Sequence, residues 1–170
     1  MDADELRRRQ APLKERYRQD PAAAQVTLRA EAALDTALAC NVQTGRALVQ
    51  AGMHPATGGD GAAVCSGDML LGALVACAGV TLRAVATATN IPVRGGRMVA
   101  EGDLDFRGTL GVAKDAPVGF RAIRLRFELD TDATPEQLET LQRLTVRYCV
   151  VLQTLYQPPT LDVRLGAWGT

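Results

Sequence analysis

A long apolar segment in the middle of the chain, residues 69–82, most constrains the fold because it contains no charged side chain. Ser66 and Asp68 precede it and are typical of a helix start, so we predict a helix from Ser66 to about Thr89. Apolar residues occupy almost every side of this helix, unlike a helix that lies on one sheet with its back to water. It therefore needs burial on two faces, either by a second helix and a sheet of the same chain or by a second subunit.

Composition excludes several classes of protein. Segment 69–82 is shorter than the roughly 18 residues of a membrane span and is followed by Arg83, which favours a buried helix with no membrane contact. With 170 residues, 47% hydrophobic and 22% charged, and a formal net charge of +0, the chain is expected to form one soluble domain and not to bind nucleic acid. Its first 20 residues are rich in charge and lack the apolar run of a targeting signal, which predicts a cytoplasmic protein.

The first third of the chain divides into an arm and a set of strands. Residues 1–24 are predicted to form an N-terminal helical arm, because segment 4–19 is charged and helix-permissive and ends before Pro21. Residues 25–50 alternate as strands do, with turn residues at positions 35–36 and 44–45. We therefore predict a hairpin followed by a third strand, which begins at Arg46.

The second half of the chain predicts a sheet, a helix and a last strand. Segments 98–106 and 123–129 alternate apolar and polar residues, as expected of an antiparallel sheet with one wet face. Thr134 and the following Pro-Glu-Gln form a strong helix start, and we predict one helix from there to Gln157. Residues 161–165 supply a closing strand. This order of elements indicates an α+β fold.

Two cysteines, Cys77 and Cys149, lie within the two predicted apolar helices. Cytoplasmic thiols are normally reduced, so the four cysteines of this chain imply redox chemistry, metal binding or packing, and not a disulfide framework. A thiol reacts as its thiolate and needs donors or positive charge around it. Free cysteine is also among the most buried residue types. The residues alone leave open whether the two thiols are reactive or inert.

The segments around these cysteines resemble a known family. Segment 68–77 is similar to the central-helix motif of the OsmC/Ohr family, the osmotically inducible and organic hydroperoxide resistance proteins. Segment 147–149 is similar to the second cysteine motif, and it is followed by two prolines at 158–159 and the closing strand. The resemblance covers roughly residues 25–165 and includes the order of elements and the Ile-Pro exit at 91–92 from the first helix.

This resemblance implies a fold, an activity and partners. The fold is an intertwined homodimer in which antiparallel sheets pack around two central helices, formed here by a single α+β domain of residues 25–170. Characterised members reduce organic hydroperoxides, and by position Cys77 is the peroxidatic thiol and Cys149 the resolving one. An external dithiol reductant, in the family often lipoyl-linked, then restores the pair.

The family also uses a carboxylate and an arginine to lower the thiol pKa and orient the peroxide. Asp68 stands where the family has a glutamate, but it lies nine residues before Cys77 and so on the opposite side of an ideal helix. It either reaches the site through a bend or a partner loop, or only favours the helix N-terminus. Arg46 is the candidate arginine and Arg29 the reserve, and a solvated strand-end role is the alternative for Arg46.

Other candidate sites are weaker. Cys40, His54, Asp60 and Cys65 match no zinc spacing, and the glycine-rich loop before Cys65 lacks the Lys-Ser/Thr of a phosphate loop, so we predict neither a metal nor another cofactor. Cys65 is the most plausible third redox thiol. Two hypotheses remain: a thiol-dependent peroxidase for oxidative stress defence, and a non-catalytic OsmC-fold dimer that binds an apolar small molecule at the subunit interface.

Overall fold

The computed structural model describes most of the chain beyond residue 29. The described residues are 2–5, 8, 10, 11, 19, 30–34, 39–44, 47–111 and 113–166. In the predicted N-terminal arm, residues 3–5, 8, 10, 11 and 19 are helical, and the other residues of that arm after Asp2 lie outside the described ones.

The first sheet is built by strands close together in sequence. It contains β1 (Ala30–Leu34), β2 (Ala39–Thr44), β3 (Ala47–Gly52) and β4 (Val64–Cys65), in that order across the sheet. The first three strands are antiparallel to their neighbours, and β4 runs parallel to β3. The three strands were therefore predicted correctly where they are described, whereas residues 25–29, 35–38 and 45–46 of that prediction lie outside the described ones. The two-residue β4 was not predicted.

The apolar helix α1 spans Ser66–Thr89, the bounds predicted from the sequence. Asp68 lies in its first turn. Ser66 is the first helical residue and not the cap, because Cys65 is the N-cap residue and makes no side-chain capping hydrogen bond. The helix ends at Asn90, whose φ of 53° places it in the left-handed region that asparagine tolerates well.

The second sheet pairs two long strands, β5 (Gly95–Asp103) and β6 (Ala122–Asp130), which are antiparallel. A short helix, α2 (Phe106–Thr109), lies between them in sequence. One face carries cross-strand ion pairs, such as Arg97 with Glu128 at 2.6 Å and Arg126 with Glu101 at 2.7 Å. These side chains are exposed, which confirms the predicted wet face.

The helix after the second sheet differs from the prediction. Helix α3 (Pro135–Tyr148) begins with the predicted capping box at Thr134, but the chain leaves the helical conformation at Cys149. A separate helix, α4 (Val150–Tyr156), follows. The closing strand is not formed within the described chain, since residues 161–165 are irregular and exposed. A strand needs a partner, and the described residues of this chain offer none at that position.

The core of the described residues lies between α1, α3 and the second sheet. Its main cluster consists of Leu82, Val85, Ala86, Ile91 and Leu141. Only part of α1 is buried, and Val80 on its other side is 74% exposed. Helix α1 is long and apolar enough to cross a membrane by length and composition alone. Contrary to the expectation from segment 69–82, length therefore does not exclude a membrane span. The described part of the chain covers one face of α1, where Leu74 and Ala78 are completely buried, and leaves another face uncovered.

Candidate active site

The two cysteines singled out in the sequence meet where α1 crosses the junction of α3 and α4. Both thiols are free: Cys77 is half-buried, whereas Cys149 is completely buried. The Cys149 thiol donates a hydrogen bond to the Cys77 sulfur. The fold therefore brings together two thiols that are 72 positions apart (149 − 77) in the sequence.

Backbone and hydroxyl donors surround the Cys77 sulfur. The N–H groups of Val150 and Val151 and the hydroxyl of Thr81 donate hydrogen bonds to it. These N–H groups are free because the chain leaves the helical conformation at Cys149, with φ −74° and ψ 108°, and α4 begins afterwards. Thr81 follows Cys77 by four residues and so lies on the same side of α1.

These surroundings shift the pKa values of the two thiols in opposite directions. Burial raises the pKa of Cys77, but the donors from Val151, Cys149, Val150 and Thr81 together outweigh it, so the net pKa is lowered. For Cys149, burial is the largest effect and the pKa is raised, helped by its contact with the Cys77 sulfur. Cys77 is therefore the more acidic of the two thiols, and Cys149 the less acidic.

This difference predicts unequal reactivity toward an alkylating agent. In reduced protein treated with iodoacetamide across pH 6 to 10, Cys77 should react at lower pH than Cys149, because the thiolate is the reacting form. Mass spectrometry of the two cysteine-containing peptides gives both profiles. The exposed fraction of each thiol also affects rates, so the measurement to compare is the midpoint of each profile. Identical midpoints would contradict the assignment.

The predicted carboxylate does not reach Cys77 within one chain. Helix α1 is unbroken from Ser66, so Asp68 stays on the side opposite Cys77 and about 13 Å along the axis from it. Its side chain is exposed in the first turn. Arg46 and the reserve Arg29 lie outside the described residues. The roles of Asp68 and Arg46 therefore stay predictions, and in the described part of the chain the donors to Cys77 are uncharged.

The weaker candidates lie at a separate place, near the start of α1. His54 is half-buried, accepts a hydrogen bond at Nδ1 from the Ala56 N–H at 3.0 Å, and stacks on Phe106 with ring centroids 4.8 Å apart. His54 and Cys65 line a cavity of about 310 Å³. No group of three or more His, Cys, Asp or Glu side chains in the described ranges could hold a metal ion.

An apolar groove of about 650 Å³ runs beside the helix crossing. Leu70 and Leu74 of α1 line one side, and Leu152 and Leu155 of α4 line another. Phe120, residues of β6 and the polar residues Arg121 and Gln142 also contribute to its lining. Leu74 and Leu152 each lie three positions from a cysteine of the pair in sequence, but neither cysteine lines the groove.

Sequence reasoning found the thiols but missed their donors. Thr81 could have been identified, since a hydroxyl residue four positions after a cysteine on one helix faces the same way. The N–H groups of Val150 and Val151 carry no sequence signal, because any residue but proline has one. Their role as donors depends on the interruption of the helix at Cys149, which only the structure shows.

Comparison with known proteins places this arrangement in a family. The family model for OsmC-like proteins matches residues 58–164, which include both cysteines. The chain belongs to the OsmC-like family. The match covers more than half of the 170 residues, and the resemblance noted in the sequence is thereby confirmed. A search of curated proteins found no match.

Solved structures with the OsmC fold resemble most of this chain. An OsmC-like protein from Mycoplasma pneumoniae has a TM-score of 0.68 and 17% identity, covering 79% of this chain and 90% of its own. An organic hydroperoxide resistance protein OsmC from Legionella pneumophila has a TM-score of 0.62 and 19% identity, covering 79% and 92%. One from Elizabethkingia anophelis has a TM-score of 0.57 and 14% identity, covering 79% and 91%. At these identities the likeness establishes the OsmC-like α+β fold.

Proposed function

We propose that this protein is a thiol-dependent peroxidase that reduces organic hydroperoxides and so serves oxidative stress defence. One observation carries the proposal: Cys77, with a lowered pKa, accepts a hydrogen bond from Cys149, whose pKa is raised. A peroxidatic thiol must be a thiolate, and a resolving thiol must wait nearby. Membership of the OsmC-like family, and neighbours named as organic hydroperoxide resistance proteins, support the same activity.

The chemistry needs two steps at the thiol pair. In the first, the Cys77 thiolate attacks the distal oxygen of the hydroperoxide, the O–O bond breaks, and the alcohol leaves after taking up a proton. Cys77 is then a sulfenic acid. In the second, the Cys149 sulfur attacks the Cys77 sulfur, a disulfide forms, and water leaves with the proton from Cys149. An external dithiol reduces the disulfide by exchange and returns both thiols.

The active form in this proposal is a homodimer. Helix α1 buries Leu74 and Ala78 completely yet leaves Val80 74% exposed. A groove of about 570 Å³ runs along that side and is almost wholly apolar, with Arg83 at its edge. The three apolar side chains of 161–165 are also exposed. A second copy of the chain would cover these surfaces, as the two-sided apolar pattern of α1 requires. A reducing compartment such as the cytoplasm suits the free thiols.

A second candidate function rests on the position of Asp68. Because that carboxylate lies away from Cys77 within one chain, the family's usual acid is not beside the thiol. The apolar groove next to the thiol pair would then hold an apolar small molecule without turnover. In this version the protein is a non-catalytic dimer, and neither thiol lines the groove.

The experiment that separates the two functions measures peroxide consumption. Reduced protein is mixed with cumene hydroperoxide and a dithiol such as dihydrolipoamide, and peroxide is followed over many turnovers. The peroxidase should consume peroxide in proportion to enzyme, and quenched samples lacking the dithiol should contain a Cys77–Cys149 disulfide. If the protein consumes no more peroxide than the dithiol alone does, and both thiols stay reduced, the peroxidase function is excluded and the binding function remains.

A further inference from the structure

The interruption at Cys149 separates two backbone groups that a continuous helix would join. In an α-helix the N–H of residue 150 bonds to the carbonyl of residue 146. Here the Val150 N–H donates to the Cys77 sulfur instead. The Val146 carbonyl therefore loses its usual donor at a half-buried position, and a carbonyl left unsatisfied there would oppose the interruption.

The side chain of Gln153 supplies the missing donor. Its Nε2 donates a hydrogen bond to the Val146 carbonyl oxygen at 2.8 Å. Its backbone N–H donates to the Cys149 carbonyl at 2.9 Å. One residue thus bonds to the chain on both sides of the interruption, with its side chain to the end of α3 and its backbone to the start of α4. The side chain is half-buried, which protects these bonds from competing water.

We propose that Gln153 is a positioning residue that holds the interruption at Cys149 open and so keeps the Val150 N–H on Cys77. It touches neither the substrate nor the thiols in this role. Without its amide, the least costly donor for the Val146 carbonyl is the Val150 N–H, and that bond would make the helix continuous. The Cys77 thiolate would then lose a donor, and Cys149 would leave the backbone conformation that presents its thiol.

The inference deepens the proposed function, and it rests on that function only for the reaction of the Cys77 thiolate with a peroxide. The test therefore uses alkylation, which needs no peroxide. Gln153→Leu removes the amide, and Gln157→Leu is the matched control, because Gln157 is an exposed glutamine at the end of α4. The rate of iodoacetamide reaction at Cys77 is measured against pH by mass spectrometry.

For Gln153→Leu we expect about a tenfold slower reaction of Cys77 at pH 7 and a midpoint moved to higher pH, because a donor to a charged group is lost. Gln157→Leu should match the wild type. A merely structural role would lower thermal stability without moving the midpoint, and that result overturns the inference. If the leucine variant does not fold, Gln153→Glu, which keeps the shape but lacks the N–H donor, should show the same slower reaction, and a wild-type profile there also overturns it.

The outcomes for inference and function are distinguishable. A wild type that reduces peroxide, with an unchanged pH profile in the Gln153 variants, contradicts only the positioning role. A shifted profile in a protein that consumes no peroxide supports the positioning role and contradicts the peroxidase.

Discussion

The Cys77→Ser variant is expected to lose peroxidase activity by at least about a thousandfold, because a serine hydroxyl at neutral pH is neither ionised nor soft enough to attack a peroxide oxygen. The donors from Val150, Val151 and Thr81 lower the pKa of a thiol, but they cannot bring a hydroxyl into the neutral range. The measurement is the rate of cumene hydroperoxide consumption with excess dithiol. Folding is checked by circular dichroism.

Cys149→Ser is the matched control for this result. The variant retains Cys77, so reduced protein should still consume about one equivalent of peroxide in the absence of dithiol. The sulfenic acid then has no internal thiol to condense with and should be trapped by dimedone on Cys77. Equal and slow peroxide consumption by wild type and Cys77→Ser would rule out the peroxidase, and dimedone labelling at another cysteine would move the peroxidatic role to that residue.

The Val80→Asp variant is expected to turn the proposed dimer into a monomer at micromolar concentration. Val80 is 74% exposed in one chain, so aspartate should cost the isolated subunit little. Across a dimer interface the same carboxylate would be buried without a partner, a cost of about 3–5 kcal/mol that weakens association more than a hundredfold. Light scattering after size-exclusion chromatography measures the mass directly.

Leu110→Asp provides the comparison for this surface. Leu110 is also apolar and exposed, at 56%, but it follows α2 and does not line the groove along α1. It should keep the mass of the wild type. A wild type that is monomeric, or a Val80→Asp variant that stays dimeric, would show that α1 is covered by something other than a second copy at this face.

Sequence patterns predicted those elements that are stabilised by residues close together in the chain. The capping box at Thr134 formed as predicted, because its two hydrogen bonds involve residues only three positions apart. The bounds of α1 were predicted by the helix start at Ser66, the apolar run and the Ile-Pro exit at 91–92. The strand 161–165 was wrong for the single chain, because a strand is decided by the partner it pairs with and alternation says nothing about where that partner lies.

The sequence predicted side chains of the candidate site but not the backbone groups beside them. Two cysteines in two apolar helices, together with the family motif, pointed to Cys77 and Cys149. Asp68 was placed correctly on the far side of α1 by helical geometry. The continuous helix through Cys149 was wrong, since the competing bonds that stabilise the interruption come from the Gln153 side chain and from Cys77 on another helix.

The sequence by itself determined that an apolar helix begins at Ser66 and carries Cys77, and that the chain resembles the OsmC/Ohr family. These properties follow from the order and spacing of residues along the chain. Only the tertiary structure decided which thiol is acidic. That difference depends on burial and on the N–H groups of Val150 and Val151, which follow Cys77 by more than 70 positions. Electrostatic effects between residues so far apart in the chain leave no pattern in the sequence.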